Sequence, residues 1–257
     1  MNLFLRRYPS DGPPLVVLHG LLGSSRNWHV VGRELSKSFS VSIPDLRNHG
    51  ESPHDPVHDI PSMARDVVEF LDAEGLDRIA LVGHSMGGKV AMRLACDVPE
   101  RLDRIAVVDI APRDYGAGTG EIAAMLAVDL DRVGSRRDAD EQLSRTIDDE
   151  AMRLFLLSNL VREGDQYRWR PGLRAIEGGL SEIRGSPLAP DEQSDVEVLF
   201  VRGALSGFMV DSDAELISRH FRKARIETLE GSGHNPHFDE RAKFVALVRA
   251  FLSGETA

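Results

Sequence analysis

A serine framed by glycines, Gly83-His84-Ser85-Met86-Gly87, separates an apolar run at 78–82 from a helix-patterned run at 88–95. A serine on a sharp strand-to-helix turn is held out from the sheet with its hydroxyl free to attack. The glycines admit the close backbone packing such a turn needs. A neutral hydroxyl is a poor nucleophile, so Ser85 needs a general base. The glycine-rich stretch Gly231-Ser232-Gly233-His234-Asn235-Pro236 offers His234, on a loop after the last expected strand. His237 competes but lies where the final helix is about to start. His19 and His84 read as loop-shaping residues.

The same chemistry requires backbone N–H donors where a tetrahedral oxygen develops. One is Met86, directly after the nucleophile. The second falls in His19-Gly20-Leu21-Leu22-Gly23, where Leu21 is the first choice and Leu22 the alternative. The base in turn needs an acid to fix its tautomer. The order serine, aspartate, histidine admits both Asp109 and Asp211. Asp109 ends the run 104–109, expected to neighbour the strand at 78–82 that precedes Ser85. Asp211 follows the run 196–201, but with Asp213 it suits the start of the next helix. Ser206 stands in that loop as an auxiliary group that could bond to Asp109 or His234.

These residues need a frame that brings them to one edge. Apolar runs at 14–18, 40–43, 78–82 and 104–109 alternate with helical patterns at 26–35, 63–71 and 88–95. Near-continuous apolar strands alternating with helices predict an α/β fold, a mostly parallel central sheet covered by helices on both faces. In such a sheet the loops after the strands open on one edge. The alternation breaks at Ala111 and resumes at Val196. The intervening stretch carries helical patterns at 122–130 and 152–161 and no convincing strand. It reads as a helical cap, 111–195, inserted into a core of 1–110 and 196–257. A helix is expected at 214–221, a strand at 225–229 and a last helix at 240–252.

The 257-residue chain carries 41 acidic and 31 basic residues, a formal net charge of −10. That balance argues against nucleic acid as a partner, since such binders present a basic surface. The single cysteine, Cys96, excludes an internal disulfide and sits in a helical pattern as a packing thiol. The scattered histidines show no metal-like pairing, so neither a metal nor an organic cofactor is expected. No leader pattern opens the chain and no apolar run approaches membrane-spanning length. The expectation is a cytoplasmic protein, a monomer or small homo-oligomer.

Together with Asp45-Leu46-Arg47-Asn48-His49-Gly50-Glu51-Ser52-Pro53, Gly88-Lys89 and Val107-Val108-Asp109-Ile110-Ala111-Pro112, these motifs resemble the α/β-hydrolase superfamily. More narrowly they resemble the YbfF-type esterases and their mitochondrial relatives. The Arg-Asn-His-Gly-x-Ser and Asp-Ile-Ala-Pro segments are the specific parts. The resemblance spans almost the whole chain, the cap interior least. It implies that the acid is Asp109, from the strand before the cap, and that Ser206 occupies a vacated aspartate position. It also implies hydrolysis of acyl esters or acyl thioesters, with a small-molecule ester as substrate. Expected pocket residues are Leu22, Met125, Leu126, Phe155, Leu156, Tyr167, Trp169 and Phe208. Arg47 and Asn48 are candidates for a polar head group. The same residues are compatible with C–C bond hydrolysis and perhydrolysis. The rival of a different class is a non-catalytic α/β-hydrolase fold that binds a small ligand.

Overall fold

The computed structural model describes residues 1–116 and 120–255. Residues 117–119 of the expected cap and 256–257 of the expected core lie outside the described residues.

The first half alternates strands and helices. Strands β1 (Leu5–Tyr8), β2 (Pro14–Leu18) and β3 (Ser40–Pro44) are accompanied by helix α1 (His29–Leu35). Helix α2 (Ile60–Ala73) leads to β4 (Ile79–His84), α3 (Met86–Asp97) and β5 (Leu102–Val108). Helix α2 starts where its sequence says it should. Asp59 accepts a 2.7 Å hydrogen bond from the Ser62 N–H, and Pro61 occupies the first turn, where its missing N–H costs nothing.

After β5 come α4 (Glu121–Ala127), α5 (Arg136–Leu143) and α6 (Glu150–Leu157). A hairpin of β6 (Leu160–Glu163) and β7 (Gln166–Trp169) precedes α7 (Leu173–Arg184). The chain then returns to the sheet with β8 (Glu197–Gly203), α8 (Asp213–His220) and β9 (Ala224–Leu229). It ends in α9 (Pro236–Asp239) and α10 (Arg241–Leu252). The hairpin corrects the expectation of a strand-free segment. The expected helix at 152–161 stops at Leu157, and Leu160 onward is extended. The two strands turn at Gly164-Asp165, with Gly164 at φ 62°. Two turn residues between Val161 and Tyr167 are a hairpin signal that the surrounding charges obscured.

The main sheet has the order β1-β3-β2-β4-β5-β8-β9, with only β1 antiparallel to its neighbour. Alternate residues of the central strands feed two cores. Val16, Leu18, Leu81, Ile105, Val107, Val198 and Phe200 pack with α2 and α3 on one face. Leu15, Val17, Val82, Ala106, Val108, Leu199 and Val201 pack with α1 and α10 on the other. Both faces are covered, so the strands are apolar throughout rather than alternating. A third apolar cluster joins Ile122, Met125, Leu156, Trp169 and Ile176 of the β5–β8 segment to Leu22 of the loop after β2. No helix among the described residues is long and apolar enough to cross a membrane.

Candidate active site

Five parallel strands, β2, β4, β5, β8 and β9, deliver loops to the same edge. Ser85 occupies the bend between β4 and α3 at φ 52°, ψ −115°, a conformation costly for a residue with a Cβ. The turn closes only with glycine at its shoulders. A Cβ on Gly83 would stand 2.3 Å from the Gly87 carbonyl oxygen, and one on Gly87 would stand 2.5 Å from that of Leu18. The Ser85 N–H donates to the Val108 carbonyl at 3.0 Å, which ties the bend to the end of β5.

Asp109 is the next residue after β5 and is itself left-handed, at φ 49°. Its N–H donates to the Val201 carbonyl of β8 at 2.8 Å. Its side chain is fully buried and saturated. Oδ1 accepts from the Gly203 N–H at 3.0 Å, and Oδ2 accepts from both the Ser206 hydroxyl and His234. His234 Nδ1 lies 2.7 Å from Asp109 Oδ2, so Nδ1 carries the proton. Nε2 is then free to accept from the Ser85 hydroxyl, at 3.1 Å. A hydroxyl, an imidazole and a carboxylate therefore form one hydrogen-bonded chain. Asp211 stays outside it, paired with Arg202 at the surface.

The surroundings hold the imidazole in place. Phe208 stacks on the His234 ring, centroids 3.9 Å apart. Phe208 is fixed by its own N–H, which donates to Ser206 Oγ at 3.1 Å, and by its carbonyl, which accepts from the Tyr115 hydroxyl at 2.7 Å. His84 Nε2–H donates to the His234 carbonyl at 2.8 Å. Burial, reinforced by the neighbouring His234 and His237, pulls His84 well below the ordinary imidazole value of 6.5. His237 stacks on Trp28 and is pulled down to about 3, chiefly by burial. Neutral rings beside the site add no competing positive charge.

A cavity of about 550 Å³ opens over Ser85. Leu22, Phe155 and Phe208 line it, with Ile110, Ile122 and Met152. Met125 and Trp169 do not. Met125 is fully buried, and the Trp169 indole N–H donates to its carbonyl at 2.9 Å, so both build the interior of the β5–β8 segment. Leu126, Leu156 and Tyr167 pack into the same interior. An amphipathic pattern marks a buried face without saying which buried space it meets.

Leu21 and Met86 both line the cavity, and their N–H groups make no hydrogen bond to protein among the described residues. The Leu22 N–H is already spent on His49 Nε2, at 3.0 Å. Two free amides beside the Ser85 hydroxyl could stabilise a developing oxyanion.

Arg47 and Asn48 are a correction. The Arg47 guanidinium is buried and forks onto Asp66 at 2.6 and 2.8 Å. Asn48, fully buried at φ 65°, accepts from the Asp55 N–H at 2.8 Å and faces His58. They brace the loop after β3 and leave no group for a ligand head. Sequence reading also missed Lys89. Its buried ammonium donates to the carbonyls of Ile183, Arg184 and Gly185 at 3.0, 2.9 and 2.6 Å, at the C-terminus of α7. A cation there complements the helix dipole. A lysine inside an apolar helical pattern was the available signal.

Known proteins share this architecture. A solved structure described as a marine microorganism esterase superposes with a TM-score of 0.93 at 36% identity, covering 97% of this chain and 98% of that one. The sn-1-specific diacylglycerol lipase ABHD11 of Xenopus laevis is 38% identical over 94% of this chain and 80% of its own length. Esterase YbfF of Escherichia coli strain K12 is 32% identical over 95% of this chain and 94% of its own. The family model for the alpha/beta hydrolase fold matches residues 13–241. With most of its length inside that match and the parallel sheet described above, the chain belongs to the alpha/beta hydrolase fold family.

Proposed function

We propose that the protein hydrolyses carboxylic acyl esters, with acyl thioesters as a related substrate class, by two-step acyl transfer through Ser85. In enzyme class it is a carboxylesterase-type hydrolase, a reading supported by relatives called esterase and lipase. The observation that carries the mechanism is the chain Ser85 Oγ, His234, Asp109, with separations of 3.1 and 2.7 Å.

Ser85 Oγ attacks the ester carbonyl carbon as His234 Nε2 takes its proton. The carbonyl oxygen gains the electron pair and is held by the Leu21 and Met86 N–H groups. The C–O bond to the leaving alcohol breaks, and His234 returns the proton to that oxygen. Water then attacks the acyl-enzyme, again losing a proton to Nε2. The acid leaves and Ser85 regains its hydrogen. Asp109 keeps the proton on Nδ1 and balances the imidazolium. Ser206 and the Gly203 N–H hold the carboxylate. Residues 111–195 act as a cap on the core of 1–110 and 196–257. Ile122, Met152 and Phe155 from the cap, with Leu22 and Phe208 from the core, surround the acyl chain.

The test is turnover of p-nitrophenyl esters and acyl thioesters of graded length, with fluorophosphonate labelling of Ser85. Hydrolysis that disappears in Ser85→Ala, with a Ser85 adduct in the unaltered protein, is the expected result. No adduct and no turnover would move the protein to the small-ligand-binding class.

A further inference from the structure

The loop Gly20-Leu21-Leu22-Gly23 is a turn closed by a 3.0 Å bond from the Gly23 N–H to the Gly20 carbonyl. Its second central residue, Leu22, has φ 58°. That position with positive φ ordinarily goes to glycine or asparagine, because a larger side chain is strained there. Leucine stays only if the surroundings hold it.

Three contacts do so. The Leu22 N–H donates to His49 Nε2 at 3.0 Å. The Leu22 carbonyl accepts from Asn159 Nδ2 at 2.8 Å. The Leu22 side chain is packed among the apolar residues of the β5–β8 segment. Each clamp is itself fixed. His49 Nδ1–H donates to the Arg47 carbonyl at 2.9 Å, which leaves Nε2 bare as an acceptor. Burial pulls His49 well below 6.5, so it stays neutral and accepting. Asn159 is buried between α6 and β6. Its N–H bonds to the Leu156 carbonyl at 3.0 Å, and its carbonyl accepts from the Arg170 N–H at 2.8 Å.

We propose that Asn159 and His49 are positioning residues for the oxyanion site. They hold Leu22 in its strained turn and so aim the adjacent Leu21 N–H at the reacting carbonyl. Asn159 belongs to the β5–β8 segment, so that segment completes the oxyanion site as well as covering the substrate. This rests on the ester-hydrolysis reading above. Without the clamp the turn relaxes to negative φ at Leu22 and the Leu21 amide moves off its target. A misplaced donor weakens transition-state binding and spares ground-state binding.

The experiment compares Asn159→Leu and Asn159→Ser with the unaltered protein on a short p-nitrophenyl ester. We expect kcat to fall about 10- to 100-fold, with KM within about twofold. Affinity for an alkylboronic acid, which forms a tetrahedral adduct on Ser85, falls in parallel with kcat. Affinity for the unreactive amide analogue does not. Asn159→Ser keeps the test running if Asn159→Leu fails to fold. A further readout is specific to strain. In a Leu22→Gly background, where positive φ is free, the Asn159→Ser effect on kcat should shrink to about threefold or less.

Unchanged kcat in both variants overturns the proposal. So does an equal loss of boronate and amide affinity, or an undiminished effect in the Leu22→Gly background. Ser85-dependent turnover with no effect at Asn159 sinks this inference alone. Absence of Ser85-dependent turnover in the unaltered protein sinks the ester reading and this one with it.

Discussion

Asp109 and His234, 125 residues apart in the chain, meet at 2.7 Å through one carboxylate oxygen, and that oxygen also accepts from Ser206. The other oxygen is held by the Gly203 N–H. A fully buried carboxylate with this many donors is fixed in position opposite the imidazole.

Replacing that carboxylate by an amide leaves the shape and removes the acceptor that fixes the tautomer. Asp109→Asn should lower kcat by about 10⁴. Asp211→Asn, which loses only a surface pairing with Arg202, should keep kcat within about twofold. Steady-state kinetics on one ester decides it. Loss at Asp211 and retention at Asp109 would reverse the assignment.

Arg47 is bound to Asp66 inside the protein, so its removal is a stability event. Arg47→Met strips buried Asp66 of both guanidinium hydrogen bonds, leaves it only the N-terminal ammonium at 3.6 Å, and should cost up to roughly 3–5 kcal/mol. KM of the folded fraction should stay within about twofold. Urea unfolding and ester kinetics separate the two. A raised KM at unaltered stability would restore Arg47 to the substrate.

Gly87→Ala puts a methyl group 2.5 Å from the Leu18 carbonyl oxygen and 2.7 Å from that of His19. Backbone rather than a pliable side chain must yield. Destabilisation of about 1–3 kcal/mol is expected, a Tm loss of several degrees. Activity should drop too, because the loop that carries Leu21 starts at those carbonyls. A variant with parental Tm and kcat would contradict the packing described.

Lys89 gives a pH signature. Burial is the largest influence on it, and it pulls the ammonium from 10.5 to about 7. Between those values the unfolded chain keeps the Lys89 proton and the folded protein has released it. The unfolded state then binds more protons, so stability rises with pH there, by at most about 1.4 kcal/mol per unit. Lys89→Met removes this contribution. Denaturant unfolding at about pH 7.5 and about pH 9 should therefore show a smaller rise in the variant. Equal rises in both proteins would refute it.

The legible parts of this molecule were local patterns with a single structural meaning. Gly83 to Gly87 marks the bend, Gly231 to Pro236 marks the loop with His234, and the runs at 14–18 and 78–82 mark strands buried on both faces. Asp109 was harder, since carboxylates at two strand ends satisfy the same order along the chain. Only the depth of burial separates a saturated interior acid from Asp211 at the surface. The β6–β7 hairpin was hidden because four charged residues, Arg162, Glu163, Asp165 and Arg168, occupy a short exposed ribbon. Arg47 looked available to a ligand head group because its partner, Asp66, sits 19 residues away on another element. Asn159 has no signature at all: its meaning lies in a carbonyl 137 residues upstream.

Asp109 precedes α4 and the rest of the segment up to β8, so exchanging that block between homologues would leave the charge-bearing acid undisturbed. Under the proposed reading of this segment as a cap over an ester site, such chimeras should be a practical route to altered ester preference. Under the clamp proposed above, the graft must also bring a carboxamide donor at the position of Asn159. Lids lacking one would yield proteins that fold and take up substrate yet turn over slowly.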